Sequence, residues 1–289
     1  MKISVRAGTD IGRVRTHNED YHKALGGDEA PPGVDALLVV ADGMGGHAAG
    51  EVASQMTVEG VVQALANRSV DSPELEDTDF GGSLGTALEE VNREVWRAGQ
   101  EPDKKGMGTT CTLAAVRDGK LFLANIGDSR AYLLRDGELH QVTKDHSWVE
   151  EAVDQGIVSR EDARTHPNRN IITRAIGLDQ EVTADRFMEP LTEGDLVLLC
   201  SDGLNSMLTD EEIRGVLLSH PLEEVCQALI DAANNQGGHD NTTVAVATIG
   251  AQRRSSRTTM TGTADRDTRE VATGSSWWKT VGRVIGRRS

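Results

Sequence analysis

Three scarcities narrow what this chain is. No apolar run approaches the roughly 18 residues that a membrane-spanning helix needs, since the longest are only Ala36–Ala41 and Leu196–Cys200. The opening segment carries Lys2, Arg6 and Asp10 and no apolar stretch of the secretory-signal kind, so the expected location is cytoplasmic. Cysteine is sparse: Cys111, Cys200 and Cys226 are scattered and fit neither a disulfide framework nor a Cys-x-x-Cys zinc pair. Basic residues are also few, 30 Lys and Arg against 46 Asp and Glu, for a formal net charge of −16 over 289 residues. What is present, 37% hydrophobic residues, suffices for the core of one large domain with an extension.

The charge is unevenly spread. Residues 250–289 hold nine basic and three acidic residues, so this tail is +6 and the rest of the chain is −22. A body of that sign is a poor partner for phosphate backbones, which argues against nucleic acid as its substrate. Residues 251–276 are rich in Arg, Ser and Thr without apolar periodicity, and read as a disordered linker. Residues 277–289 place Trp277, Trp278, Val281, Val284 and Ile285 near one helical face, with Lys279, Arg283 and Arg287 at four-residue spacing. A short basic amphipathic segment of this kind suits peripheral contact with an anionic membrane or with the acidic body. Threonines such as Thr258, Thr259 and Thr261 lie in the Arg-rich stretch as candidate phosphorylation sites.

Within residues 1–250, strands are predicted at 3–7, 37–41, 110–116, 121–125, 131–134, 196–200 and 243–249. The links Arg117-Asp118-Gly119-Lys120 and Arg135-Asp136-Gly137-Glu138 are too short for parallel crossovers, so the sheet is expected to be antiparallel. Helices are predicted at 48–66, 82–98, 148–155 and 222–234, with a further one running to Leu218 from the capping box Thr209-x-x-Glu212. Strands and helices in separate blocks indicate an α+β domain.

The chemistry-bearing pattern is an acidic residue at a strand end. Asp42-Gly43, Gly127-Asp128 and Asp202-Gly203 each follow an apolar strand, Asp240-Asn241 precedes one, and Asn18-Glu19-Asp20 follows the first. A single Asp-Gly is ordinary turn chemistry, but five such sites invite another account. Clustered carboxylates repel, and hard divalent cations with oxygen ligands remove that cost. Mn²⁺ or Mg²⁺ suits this donor set better than zinc.

Six motifs occur in order: Arg15-x-x-Asn18-Glu19-Asp20, Val40-Ala41-Asp42-Gly43-Met44-Gly45-Gly46-His47, Gly108-Thr109-Thr110, Gly127-Asp128-Ser129-Arg130, Ser201-Asp202-Gly203-Leu204 and Gly238-His239-Asp240-Asn241-Thr242-Thr243. Together, over roughly residues 4–249, they resemble the PPM, or protein phosphatase 2C, family, in its bacterial serine/threonine phosphatase branch. The resemblance implies two antiparallel sheets packed as a sandwich and flanked by helices on both faces (αββα), with a binuclear metal site at one end. It implies that Asp42 bridges two Mn²⁺ or Mg²⁺ ions, with the Gly43 carbonyl, Asp202 and Asp240 completing the pair and Asp20 acting through water. Asp128 matches a position that, with Asp202, holds a third metal in bacterial relatives, and Arg15 matches the phosphate-binding arginine. Asn241 and His47 are candidates for contacts behind the ligands. The implied reaction is hydrolysis of phosphoserine and phosphothreonine by a metal-bridging hydroxide, without a phosphoenzyme. The implied partners are phosphorylated proteins and the bacterial Ser/Thr kinases they are shared with, and the chain is expected to be a monomer.

Met44 stands where animal members carry the histidine assigned as general acid, and Met cannot donate a proton. Either a metal-bound water supplies the proton or another acid does; His47 is nearest in sequence, and His146 and His166 are weaker candidates that flank a segment, 145–176, matching the mobile flap of bacterial relatives. Cys111 to Arg117 also satisfies the Cys-x5-Arg spacing of cysteine-dependent phosphatases, but holds no glycine and reads as a buried strand. A catalytically silent phosphoprotein-binding module is the reading from a different class, and the intact Asp42, Asp202 and Asp240 argue against it.

Overall fold

The computed structural model describes residues 1–45, 48–71 and 76–250. His47, the linker expected at 251–276 and the amphipathic segment expected at 277–289 lie outside them. In chain order the elements are β1 (Ile3–Asp10), β2 (Asp20–Gly26), β3 (Ala36–Met44), α1 (Ala48–Asp71), α2 (Asp77–Ala98), β4 (Gly108–Thr109), β5 (Cys111–Arg117), β6 (Lys120–Ile126), β7 (Arg130–Arg135), β8 (Glu138–Gln141), α3 (Trp148–Asp154), α4 (Arg160–Ala163), β9 (Asp185–Pro190), β10 (Leu196–Cys200), α5 (Asp202–Asn205), α6 (Asp210–Ser219), α7 (Leu222–Asn235) and β11 (Thr242–Ile249).

Two antiparallel sheets form, ordered β1-β11-β10-β7-β8 and β2-β3-β5-β6-β9, with β4 paired to β3. The period-2 alternation of the strands assigns each side chain to a layer. In β3, Ala36, Leu38 and Val40 point between the sheets, whereas Leu37, Val39 and Ala41 face α1 and α2. In β10 and β11, Val197, Leu199, Ala245 and Ala247 fill the inter-sheet layer, and Leu196, Leu198, Val244 and Val246 face the opposite helices. Three apolar layers therefore hold four layers of structure, the αββα sandwich. The central strands are apolar on both faces because both are covered.

The helices follow from local chemistry. Thr209 accepts from the Glu212 amide while Glu212 reaches back to the Thr209 amide, the reciprocal cap expected for α6. In α7, which starts directly after Pro221, Leu222, Val225, Cys226, Leu229, Ile230 and Ala233 lie on one buried stripe at helical spacing. The links Asp118-Gly119 and Asp136-Gly137 carry positive φ at both residues (50° and 72°, 52° and 84°), the backbone that a tight hairpin turn requires. Among the described residues no helix is long and apolar enough to cross a membrane.

Candidate metal and phosphate centre

Strand register brings the acidic residues together. Asp20 lies directly opposite Asp42 across β2 and β3. Cys200, before Asp202, pairs with both Val244 and Arg130, so the end of β10, the start of β11 and the start of β7 coincide. Cys111 pairs with Ile126, which brings Gly127-Asp128 to the same end. Five carboxylates that are far apart in sequence thus share one end of the sandwich.

Their electrostatics record the crowding. Burial, reinforced by Asp20, Asp202, Asp128 and Asp240, holds the Asp42 carboxyl well above the usual range. Burial pushes Asp20 up to about 7, against hydrogen bonds that favour its ionised form, and pushes Asp202 up to about 6 with Asp240 adding to it. Asp128 is raised by burial and by Asp202 and Asp145, with Arg130 opposing. Without cations, burial and mutual repulsion favour the protonated form of these groups, and Asp20 is divided between its two forms near neutral pH.

The donor set fits a hard divalent cation. Asp20 Oδ2 accepts from Ser201 Oγ at 2.8 Å, whereas its Oδ1 is buried without a hydrogen-bond partner. A buried carboxylate oxygen left unpaired is costly unless something charged faces it. Among the described residues no three Asp, Glu, His or Cys side chains close into a ready cage. That geometry suits Mg²⁺ or Mn²⁺, which keep several waters and take only one or two carboxylates each. At Gly43 a Cβ would fall 2.2 Å from the Gly50 carbonyl oxygen and 2.5 Å from that of Glu19, so only glycine brings this backbone into place.

Uncharged neighbours fix the ligands. The Asp42 carbonyl accepts from Thr110 N at 2.9 Å and from Thr109 Oγ1 at 2.8 Å, and the Asp42 amide donates to Thr110 Oγ1 at 3.0 Å. Asn241 stitches the loop between β1 and β2: its Nδ2 donates to the carbonyls of Ile11 (3.0 Å) and His17 (2.9 Å), and its Oδ1 accepts from Glu19 N at 2.8 Å. That loop carries Arg15, whose Nη2 donates to Asp240 Oδ2 at 2.7 Å while its side chain stays 52% exposed. Thr109, Thr110 and Ser201 belong to motifs quoted above, but nothing in their spacing states that they anchor Asp42 and Asp20.

His146 is buried: its Nδ1 accepts from Gly127 N at 2.9 Å, and its Nε2 lies 3.1 Å from Asp185 Oδ2 and 3.0 Å from Arg174 Nη1. Its ring is committed to holding the Gly127-Asp128 turn and is not a free acid. His166 stacks on Trp148, with centroids 5.0 Å apart. Cys111 lies inside β5, paired on one side with Ile126, and burial pushes its thiol far up. The Cys-x5-Arg spacing therefore spans a core strand and builds no phosphate loop.

A four-layer αββα protein with an all-oxygen acidic centre at the end of the sandwich is the class these features define. The chain belongs to the protein phosphatase 2C family, whose profile matches residues 7–255. It is 41% identical over 240 residues to a Listeria monocytogenes protein named serine/threonine phosphatase stp, covering 82% of this chain and 92% of that one. Among solved structures it resembles the S. agalactiae serine/threonine phosphatase, with a TM-score of 0.78 and 38% identity over 86% of this chain and all of that one. It also resembles the catalytic domain of the phosphatase PstP in complex with two manganese ions, with a TM-score of 0.72 and 38% identity over 86% and 99% of the two chains.

Proposed function

We propose that this chain is a metal-dependent serine/threonine protein phosphatase that hydrolyses phosphoserine and phosphothreonine in proteins. The observation that carries the reading is the convergence of five carboxylates beside one exposed arginine. Asp42, the Gly43 carbonyl, Asp202 and Asp240 would hold two Mn²⁺ or Mg²⁺ ions, with Asp20 acting through water and Asp128 and Asp202 offering a third, weaker position. The ions, when bound, supply Lewis acidity to the phosphoryl oxygens and acidify the water that attacks phosphorus. Arg15 binds the phosphate, its planar fork matching two oxygens at once. Thr109, Thr110 and Ser201 keep Asp42 and Asp20 in place through the reaction. Asn241 sets the loop that aims Arg15. Met44 has no proton to give the leaving alkoxide, and the His146 ring is engaged elsewhere.

Residues 1–250 are the catalytic domain in this reading, 251–276 a linker and 277–289 a segment for peripheral membrane contact. The protein works as a cytoplasmic monomer against Ser/Thr kinases. The test is hydrolysis of a phosphothreonine peptide by metal-stripped protein, with and without Mn²⁺, beside a thiol-alkylated sample. Activity restored only by Mn²⁺ and indifferent to alkylation supports the reading; a folded, metal-loaded protein without turnover would point to a phosphoprotein-binding module.

A further inference from the structure

A second feature lies along the side of the sandwich, outside the carboxylate centre. β1 and β2 are the edge strands of the two different sheets, and they border a cleft of about 640 Å³. Ile3, Val5, Arg6, His22, Lys23 and Gly26 are among its lining residues.

The hydrogen-bond phase of each strand shows which peptide groups face the cleft. Gly250 N donates to Lys2 O at 2.8 Å, so the even residues of β1 bond to β11 and the peptide groups of Ile3, Val5 and Ala7 turn outward. Gly27 N donates to Asp35 O and Gly43 N to Glu19 O, so the odd residues of β2 bond to β3 and those of His22, Ala24 and Gly26 turn outward. Among the described residues no strand pairs with either free edge. Neither of the two edges that border the cleft is paired to a strand; the outward Val5 carbonyl of β1 accepts from Arg6 Nη1 and must release it for a strand to add there.

The charge of the cleft runs against that of the body. Arg6 and Lys23 line it with a single acid, Glu29. Arg6 Nη1 donates to the Val5 carbonyl at 2.7 Å, and neither Arg6 nor Lys23 forms an ion pair among the described residues. In a body of net charge −22, two cations that form no ion pair among the described residues mark a local reversal of sign. An acidic strand complements such a cleft.

We propose that this cleft is a docking groove for an extended anionic peptide, the flank of a phosphoprotein substrate; the proposal rests on the phosphatase reading. His22 lies two residues from Asp20, about 7 Å along the strand at about 3.3 Å per residue. A chain leaving the carboxylate centre thus meets the groove directly, and its flank adds as a strand while its acidic side chains meet Arg6 and Lys23. The plainer account of Arg6 and Lys23 is that they are edge charges that discourage aggregation. Glutamates at the same positions would guard the edge equally well but repel an anionic guest, which separates the two accounts.

The experiment uses the full chain and a labelled, unphosphorylated threonine peptide with a glutamate-rich flank, followed by fluorescence anisotropy. The matching glutamine-rich peptide, a phosphoserine-flanked peptide and one N-methylated at alternate amides are its companions. We expect Arg6→Glu with Lys23→Glu to weaken the glutamate peptide at least about tenfold, and Arg6→Gln with Lys23→Gln by less. Alternate N-methylation and raised ionic strength weaken it as well. Hydrolysis of p-nitrophenyl phosphate, which has no flank, stays unchanged in both variants. Tighter binding of the phosphoserine flank would identify phosphate as the anion, and equal binding would identify any acidic flank. Equal affinity for glutamate and glutamine peptides, or affinity untouched by charge reversal in a folded variant, overturns the groove. If the wild type fails to hydrolyse p-nitrophenyl phosphate with Mn²⁺ yet binds the glutamate peptide in this pattern, the enzyme reading falls and the groove stands.

Discussion

At the residue scale, the roles assigned to Asp42 and Arg15 predict different kinetic signatures. Asp42 is buried in the carboxylate cluster, and burial together with the charges of Asp20, Asp202, Asp128 and Asp240 raises its carboxyl above the usual range. Residues behind a metal's ligands typically cost about 10–100-fold when replaced, so a ligand itself costs at least about 100-fold. Asp42→Asn should therefore lower Mn²⁺-dependent kcat by at least that factor, and near wild-type turnover of a folded variant would refute the ligand role. Arg15→Ala removes a charge-assisted contact worth about 1.5–3 kcal/mol, which is roughly a 10–100-fold rise in KM for a phosphopeptide. An unchanged KM would remove the phosphate-binding role. The acidic residues were legible because an Asp at the end of an apolar strand is visible in one dimension. Their anchors were not: Ser201 hydrogen-bonds a residue 181 positions away and Thr110 one 68 positions away, distances that only the folded sheets close. His146 is the instructive reversal, since a histidine beside an acidic motif suggests acid catalysis, whereas its ring is held between a backbone amide and a carboxylate.

At the scale of elements, legibility followed burial. The seven strands expected from the sequence all form, and the hairpin turns fall where Asp-Gly placed them. The longer strands the sequence did not disclose, β2, β8 and β9, are all sheet edges. β9 alternates between half-buried and exposed residues along its whole length, and β8 has only four residues, so neither carries the apolar run of a strand covered on both faces. Helix boundaries shifted for a related reason. α2 begins at Asp77, five residues before the expected start at 82; Phe80 is buried against Phe122, and this packing overrides the poor helix propensity of Gly81 and Gly82. The cap of α6 gives a prediction at this scale. Thr209→Ala removes the side-chain half of the capping box, the acceptor for the Glu212 amide, and should cost about 1 kcal/mol, lowering Tm by about 2–4 °C in a domain of this size, with activity retained. A thermal melt with no shift would show that the cap contributes nothing.

At the scale of the whole molecule, the acidic centre makes stability depend on pH and metal together. Asp20 and Asp202 are raised from the ordinary carboxylate value to about 7 and about 6, chiefly by burial. For a carboxyl raised in the folded state, the native form binds more protons than the unfolded form between the two pKa values. Its contribution to stability is then fully present below about 4 and is lost as pH rises through about 6 to 7. Asp185 works the other way: the hydrogen bond from His146 and the Arg174 guanidinium hold it down to about 2, so its contribution persists above about 4 and fades as pH falls toward 2. The two windows barely overlap. Metal-stripped protein should accordingly lose Tm steadily between about pH 4 and about pH 7, as protons leave a centre where like charges have no counter-ion. Divalent cations bind the ionised carboxylates of the native state and not the dispersed ones of the unfolded chain, so saturating Mn²⁺ raises Tm most at the alkaline end and flattens the slope. Calorimetric or fluorescence melts across that range, with and without Mn²⁺, test this without any substrate. A Tm that rises with pH in the stripped protein, or a Mn²⁺ shift that does not grow with pH, would mean that these carboxylates are not the cation's site. The same measurement on Asp42→Asn, which has one fewer charge to crowd the centre, should show a shallower alkaline loss and a smaller Mn²⁺ shift, and so connects the behaviour of the whole molecule to the single residue at its centre.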